Sequence, residues 1–369
     1  MHKILVTGAT GFLGGAIVAH ALETGLGFSL LLLVRAADQA AGLERMRVTL
    51  RNFDVPETQI ASLAQDQILC GDFTGVAAFA GDARLEGVTH VINCAALATF
   101  SNNPLIWPIN VEGTFAFAMR MSQVPGLRRF LHVGTAMACG PGLQPPVAES
   151  WDLPPKEKHL VIYTASKAEI ERKIHSELPG LPFVAARISV LVGHSRLGCK
   201  PSGSIFWVFR MAQAFEQFTC ALDEKIDVVP ADYCAAVLMQ LALRESLAHD
   251  LYHVSAGPGT SCTFGEIDVA LAEAGGTQPV GERYRQITEA DLMTLAGQFE
   301  EKIGPCNRRL ILRAMRLYGG FAALNYVFEN QRLLAEGIAA PPRFDSYIGE
   351  CVRTSAGISI PEQMHWDFK

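Results

Sequence analysis

The chain reads as an α/β protein, a doubly wound parallel sheet followed by a smaller, mostly helical C-terminal lobe. Two observations carry this. A glycine-rich turn, Thr7-Gly8-Ala-Thr-Gly11-Phe-Leu-Gly14, follows the apolar run Lys3-Ile-Leu-Val6, and strand-like apolar runs then alternate with helical patterns as far as residue 190. Taken in order, residues 3–7 form a buried parallel strand, because an unbroken aliphatic run suits a sheet covered on both faces. Gly8 permits the tight turn, Gly11 lets the backbone approach a pyrophosphate, and Gly14 lets the next helix pack closely on the strand. Thr10, Phe12 and Leu13 complete the turn and open a helix whose N-terminus faces the phosphates. Further strands are expected at 28–34, 67–70, 89–93, 128–133 and 182–187, with helices beginning near 12, 40, 104 and 163. Residues 1–190 are read as a dinucleotide-binding domain and 191–369 as a substrate lobe, with some segments interleaved. The turn-rich stretch from Gly140 to Pro155 is expected to lie over the cofactor.

With 369 residues, 49% of them hydrophobic, the chain can bury a large core. A formal net charge of -6 gives no electrostatic case for nucleic acid. Nine cysteines lie scattered without a CxxC pair, which argues against a disulfide framework and against a metal site, and suits a reducing, cytoplasmic setting. The N-terminus enters a strand without a leader pattern, and no apolar stretch is long enough to span a bilayer.

The chemistry centres on Tyr163 and Lys167 in Val161-Ile-Tyr-Thr-Ala-Ser-Lys-Ala168. On a helix, i and i+4 share a face, so an ammonium there can stabilise a phenolate and still reach a cofactor ribose. Thr135 ends the fifth strand at the carboxyl edge of the sheet, where ligands bind, and its hydroxyl can donate to a substrate oxygen. Asn110 either holds a water that passes protons to Lys167 or bonds only the helix backbone. Arg35 ends the second strand, where a basic residue accepts the 2′-phosphate of NADP and an acidic one would hold the ribose of NAD, so NADPH is favoured over NADH. Asp72, followed by Phe73, either accepts from the adenine amino group or caps its own turn. Ala95 and Ala96 close the fourth strand with small side chains that admit the cofactor or simply serve helix packing. His132, inside an apolar strand, reads as a satisfied core histidine.

Tyr-x-x-x-Lys with TGxxGxxG and an upstream threonine resembles the extended short-chain dehydrogenase/reductase superfamily, with its Rossmann-type fold. Leu32-Leu-Val-Arg-Ala-Ala37 with Leu43-Glu-Arg-Met-Arg-Val-Thr49, Arg187-Ile-Ser-Val-Leu-Val-Gly193-His-Ser195-Arg-Leu-Gly198, and Ile226-Asp-Val-Val-Pro-Ala-Asp232-Tyr233 are similar to its thioester reductase and fatty acyl-CoA reductase branch. The resemblance implies Thr135, Tyr163 and Lys167 as the catalytic set with Asn110 in support, and Gly8, Gly11, Gly14, Arg35, Asp72, Ala95 and Arg187 as cofactor contacts. Two departures stand out: Gly134 where the branch often has serine, and His194 where it usually has aspartate.

The expected function is NADPH-dependent reduction of an acyl thioester to an aldehyde. The acyl group would arrive on coenzyme A or on a separate carrier protein. The alternatives are a dehydrogenase, ketoreductase or epimerase acting on an alcohol or ketone, and a non-catalytic NADP-sensing regulator. Such regulators commonly lose the tyrosine or the lysine, and this chain keeps both. Ser204-Ile-Phe-Trp-Val-Phe209 and the basic, apolar segment 307–328 are expected either to pack the second lobe or to wall an acyl pocket. In the latter case their arginines would face a phosphorylated carrier or a membrane surface. The sequence also admits a homodimer.

Overall fold

The computed structural model describes residues 2–25 and 28–367. Its centre is a sheet of seven parallel strands: β1 (His2–Thr7), β2 (Phe28–Val34), β3 (Ile68–Cys70), β4 (His90–Asn93), β5 (Arg129–Thr135), β6 (Phe183–Ile188) and β7 (Leu251–Val254). They lie in the order β7-β6-β5-β4-β1-β2-β3, so the direction of winding reverses between β1 and β4. Crevices at the carboxyl ends of strands form at such a reversal.

Period-two alternation in the strands feeds two separate cores. Ile4, Val6, Leu30, Leu32, Val34, Ile92 and Leu131 face one side and meet α1 (Phe12–Thr24), α2 (Gln39–Asn52) and α6 (Ala231–Leu243). Leu5, Leu31, Leu33, Leu69, Val91 and Phe130 face the other and meet α3 (Thr114–Ser122) and α4 (Ile162–Glu177). The near-continuous apolar strands seen in the sequence are thus buried on both faces.

The seventh strand comes from beyond residue 190, and so does α6, which packs along α1. The remaining C-terminal chain builds the lobe around α5 (Phe206–Phe215), α7 (Phe264–Gly275) and α8 (Arg308–Ala322). Trp207, Met211 and Phe215 of α5 pack with Phe299, Ile311 and Met315 in a core of their own. Asp227, fully buried, accepts from the backbone N–H groups of Ala256 (2.7 Å), Gly257 (3.1 Å) and Phe328 (3.0 Å), and so ties three segments of this half together.

Candidate active site

The glycine turn is held by contacts that leave no room for side chains. Gly8 has φ of 66°, and a Cβ there would stand 2.9 Å from the backbone nitrogen of Ala95. A Cβ on Gly14 would stand 2.1 Å from the carbonyl oxygen of Gly8, so only glycine lets α1 begin this close to β1. The Gly11 N–H closes the turn onto the Gly8 carbonyl at 2.9 Å. Behind the turn, buried polar groups cross the strand ends in register. Thr7 Oγ1 donates to Asn93 Oδ1 (2.6 Å) and accepts from the Ala95 N–H (3.1 Å), and Asn93 Nδ2 meets His132 Nδ1 at 3.0 Å. His132 is therefore satisfied on one ring nitrogen; its Nε2 has no partner among the described residues, and burial holds its pKa well below the usual imidazole range.

A cleft of about 400 Å³ opens over this turn, lined among others by Gly8, Thr10, Gly11, Arg35, Asp72, Phe73, Ala95 and Ala96. These eight expected cofactor residues are brought together. Phe12 and Leu13 are not among its lining: both pack partly against the core, and the Phe12 ring lies 6.3 Å from Phe53, so only their backbone amides face the helix start. Asp72 accepts from the N–H of Thr74 at 2.9 Å, an Asx turn that also leaves it on the cleft wall. Arg45 of α2 is an addition that sequence reasoning did not single out. It lines the cleft beside Arg35 and its guanidinium donates to the Arg35 carbonyl. Its position ten residues after Arg35, beyond the Asp38 N-cap of α2, is the signal that was available.

Arg187, an expected cofactor contact, does not line this cleft. Its Nε donates to Glu171 Oε2 at 2.8 Å and its Nη1 to the Ser150 carbonyl at 2.8 Å, and the Arg187–Glu171 pair is almost wholly buried. The same pair explains the glycine at 134, since a Cβ there would lie 2.1 Å from Glu171 Oε1. His194 also has a local role: its Nδ1 accepts from the N–H groups of Arg196 (3.2 Å) and Leu197 (3.3 Å) in a turn that packs near α1, away from Tyr163. The 140–155 loop does not line the cleft. Its Leu143 N–H donates to the Tyr326 hydroxyl and its Val147 pairs with Val327 and Glu329, which joins it to the C-terminal lobe.

Tyr163 and Lys167 share the inner face of α4. Lys167 is buried, its Nζ donating to the Val133 carbonyl at 2.8 Å, and burial lowers its pKa to about 8. Burial raises Tyr163 to about 12, the opposite direction to the shift toward neutrality that the sequence suggested. Lys167 neighbours Cys94, which lines the nucleotide cleft. Thr135 ends β5, and its Oγ1 accepts from the Met137 N–H at 3.3 Å, which leaves its own proton to give. Asn110 sits in a π-helical turn (Pro108–Gly113), accepts from the Leu97 N–H at 2.7 Å and donates to Ser166 Oγ at 3.0 Å. Its partners are thus the Leu97 backbone in the loop after β4 and the Ser166 side chain of α4, not the backbone of its own helix.

Between α4 and α8 lies a cavity of about 820 Å³. Val161, Ile162 and Ala165 of α4 form one wall, and Arg309, Leu312, Arg313, Arg316 and Leu317 of α8 another. Arg316 pairs with Glu289 at 2.8 Å and Lys156 lies 4.3 Å over the Trp107 ring, whereas Arg309 and Arg313 make no ion pair among the described residues.

A nucleotide cleft at the sheet reversal, with a Tyr-Lys helix beside it, defines an NAD(P)-dependent oxidoreductase of the extended short-chain dehydrogenase/reductase type. Within that class the chain belongs to the male sterility protein family, whose model matches residues 6–238. Aldehyde reductase lnaA of Aspergillus flavus is 26% identical over 268 residues, 68% of this chain and 25% of that protein. The non-canonical nonribosomal peptide synthetase hkm10 of Aspergillus hancockii is 26% identical over 304 residues, 76% of this chain and 29% of the synthetase. The chain thus spans only about a quarter of the length of these relatives. Among solved structures, the terminal R domain from the myxalamid PKS-NRPS biosynthetic pathway superposes with a TM-score of 0.73 at 19% identity, covering 96% of this chain and 90% of that one. The UDP-glucose 4-epimerase of Thermus thermophilus in complex with NAD gives 0.60 at 20% identity, covering 96% and 99%. These two likenesses show the fold. Among the described residues no helix is long and apolar enough to cross a membrane.

Proposed function

We propose that the chain reduces an acyl thioester to an aldehyde with NADPH. The observation that carries this is a cavity set against α4, the helix that bears Tyr163 and Lys167, whose unpaired Arg309 and Arg313 suit a phosphate-bearing thiol, together with the cleft over the glycine turn. Coenzyme A and carrier-bound pantetheine both bring such a phosphate. Relatives described as aldehyde reductases and as peptide synthetases support the reading. The exposed Leu160 and Met293 at the cavity rim offer apolar contacts to a carrier domain.

The residues fit the cofactor: Gly8 and Gly11 present bare backbone to the cleft, and Arg35 with Arg45 offers two cations, neither in an ion pair among the described residues, for a 2′-phosphate. The nicotinamide supplies hydride to the thioester carbonyl carbon when bound. Thr135 donates a hydrogen bond to the carbonyl oxygen, and Tyr163, protonated at neutral pH because of its raised pKa, gives that oxygen its proton. The ammonium of Lys167 stabilises the phenolate left behind, and Asn110 keeps α4 in place through Ser166. The resulting hemithioacetal breaks its C–S bond, the thiol leaves with a proton, and the aldehyde carbonyl forms.

The test is to incubate the purified protein with NADPH and a panel of acyl-CoAs, carrier-bound acyl groups, aldehydes and ketosteroids, with products identified. Aldehyde and free thiol should appear in equal amounts from thioesters. Oxidation of NADPH by ketones alone would move the assignment to a ketoreductase. Calorimetry should show NADPH binding about tenfold to a hundredfold tighter than NADH, the range expected of a charge-assisted contact to the 2′-phosphate.

A further inference from the structure

Across α8 from the basic cavity lies a second one that the thioester reading leaves without an occupant. It is smaller, about 70 Å³, more enclosed, and walled almost entirely by apolar groups, including Met137, Ile205, Phe209, Ala212, Phe218 and Ala322. The hydroxyl of Tyr326 on its wall is already spent, accepting from the Leu143 N–H and donating to the Gly140 carbonyl. Helix α8 runs between the two cavities: Arg309, Arg313 and Leu317 face the basic one, whereas Tyr318, Phe321 and Ala322 face the apolar one. Phe100 stands where they meet, its ring 6.0 Å from Tyr163, 5.2 Å from Tyr318 and 5.0 Å from Phe321. On the sheet side the apolar cavity is walled by Met137, two residues past Thr135.

The geometry points to this cavity as the subsite for the far end of the acyl group, with a length limit set by its walls. This inference rests on the reaction proposed above and adds its specificity. A reacting carbonyl held by Thr135 and Tyr163 would send its thiol arm toward the arginines and its carbon chain past Met137 and Phe321 into the dry cavity. The volume is roughly half that of the ~150 Å³ apolar cavity known to hold a benzene ring, which leaves room for about three to four carbons beyond the carbonyl. Over those carbons each methylene should raise catalytic efficiency about fourfold. Longer chains must displace packed aromatic side chains, and the gain stops.

The experiment measures kcat/KM with NADPH for straight-chain acyl-CoAs from acetyl to dodecanoyl. Alongside it, calorimetry measures binding of the matching alkanamides, which are not reduced under these conditions. Both series should climb to about pentanoyl and then level or fall. Ala212→Leu and Ala322→Leu, which fill the cavity from opposite walls, should each move the break one or two carbons shorter. A thioester series that is flat, or that climbs unbroken to dodecanoyl, would overturn the subsite while leaving the reductase reading intact. Absence of thioester turnover, with the same break in amide binding and its shift in both variants, would sink the proposed reaction and leave the subsite standing. A break that neither variant moves would also overturn it.

Discussion

Burial lowers the Lys167 ammonium to about 8, and the fold bears the cost of holding it there. The sign follows from the lowered value. Below pH 8 folded and unfolded chains both carry the proton, and the full penalty applies, about 3 kcal/mol for a shift of this size. As pH rises from 8 to 10.5 the folded chain has lost the proton and the unfolded chain still holds it, so the penalty fades, and above 10.5 it is gone. Lys167→Met should therefore be more stable than the native chain at pH 7, by up to ~3 kcal/mol, with the advantage shrinking toward pH 10.5. Urea unfolding at several pH values checks this. An advantage that does not change with pH would mean that packing, not the buried charge, sets the difference.

At the scale of elements, α4 places a cation and an anion one turn apart on its buried face: Lys167 toward Val133 and Glu171 toward Arg187. Gly134 is the gap in β5 that admits the Glu171 carboxylate. Gly134→Ser should push that carboxylate off Arg187 and leave two buried charges unpaired, a loss of about 3–5 kcal/mol in the stability read by urea unfolding. An unfolding midpoint unchanged in the serine variant would show that the pair can shift to accommodate it. This pairing also shows how far the sequence can be read. The first six strands and the glycine turn were legible because continuous aliphatic runs and glycine spacing are local signals. The strand Leu251-Tyr-His-Val254 was not, because it carries two polar-tipped rings and returns to the sheet after a long excursion through the lobe. The Arg187–Glu171 pair was not legible for a related reason: the partners sit 16 residues apart on a strand and a helix, and only the folded chain brings the two together. Tyr163 and Lys167 were legible because their partnership is an i, i+4 spacing.

For the whole molecule, the division of cavities by α8 makes charge a test of what the substrate carries. Arg308 and Arg316 are occupied by Glu300 and Glu289, so among the described residues the arginines of α8 left to hold a phosphate are Arg309 and Arg313. Replacing both with glutamate should raise KM for acyl-CoA about tenfold or more relative to a thioester of a small, uncharged thiol. Added salt should weaken native turnover of acyl-CoA and have less effect on the double variant, because exposed charges are screened over about 8–10 Å at these ionic strengths. Equal losses on both thioesters would return α8 to a packing role.

The central claim is that Tyr163 delivers the proton at a site that binds the cofactor independently of it. It is tested most directly by Tyr163→Phe, which removes one hydroxyl from a half-buried ring and keeps its packing against Phe100. The measurement is paired: NADPH affinity by calorimetry, and aldehyde formation from the best thioester under saturating cofactor. The account predicts affinity close to the native value with turnover reduced at least a hundredfold, in keeping with loss of a general acid. A phenylalanine variant that binds NADPH and still forms aldehyde at near-native rate would contradict it.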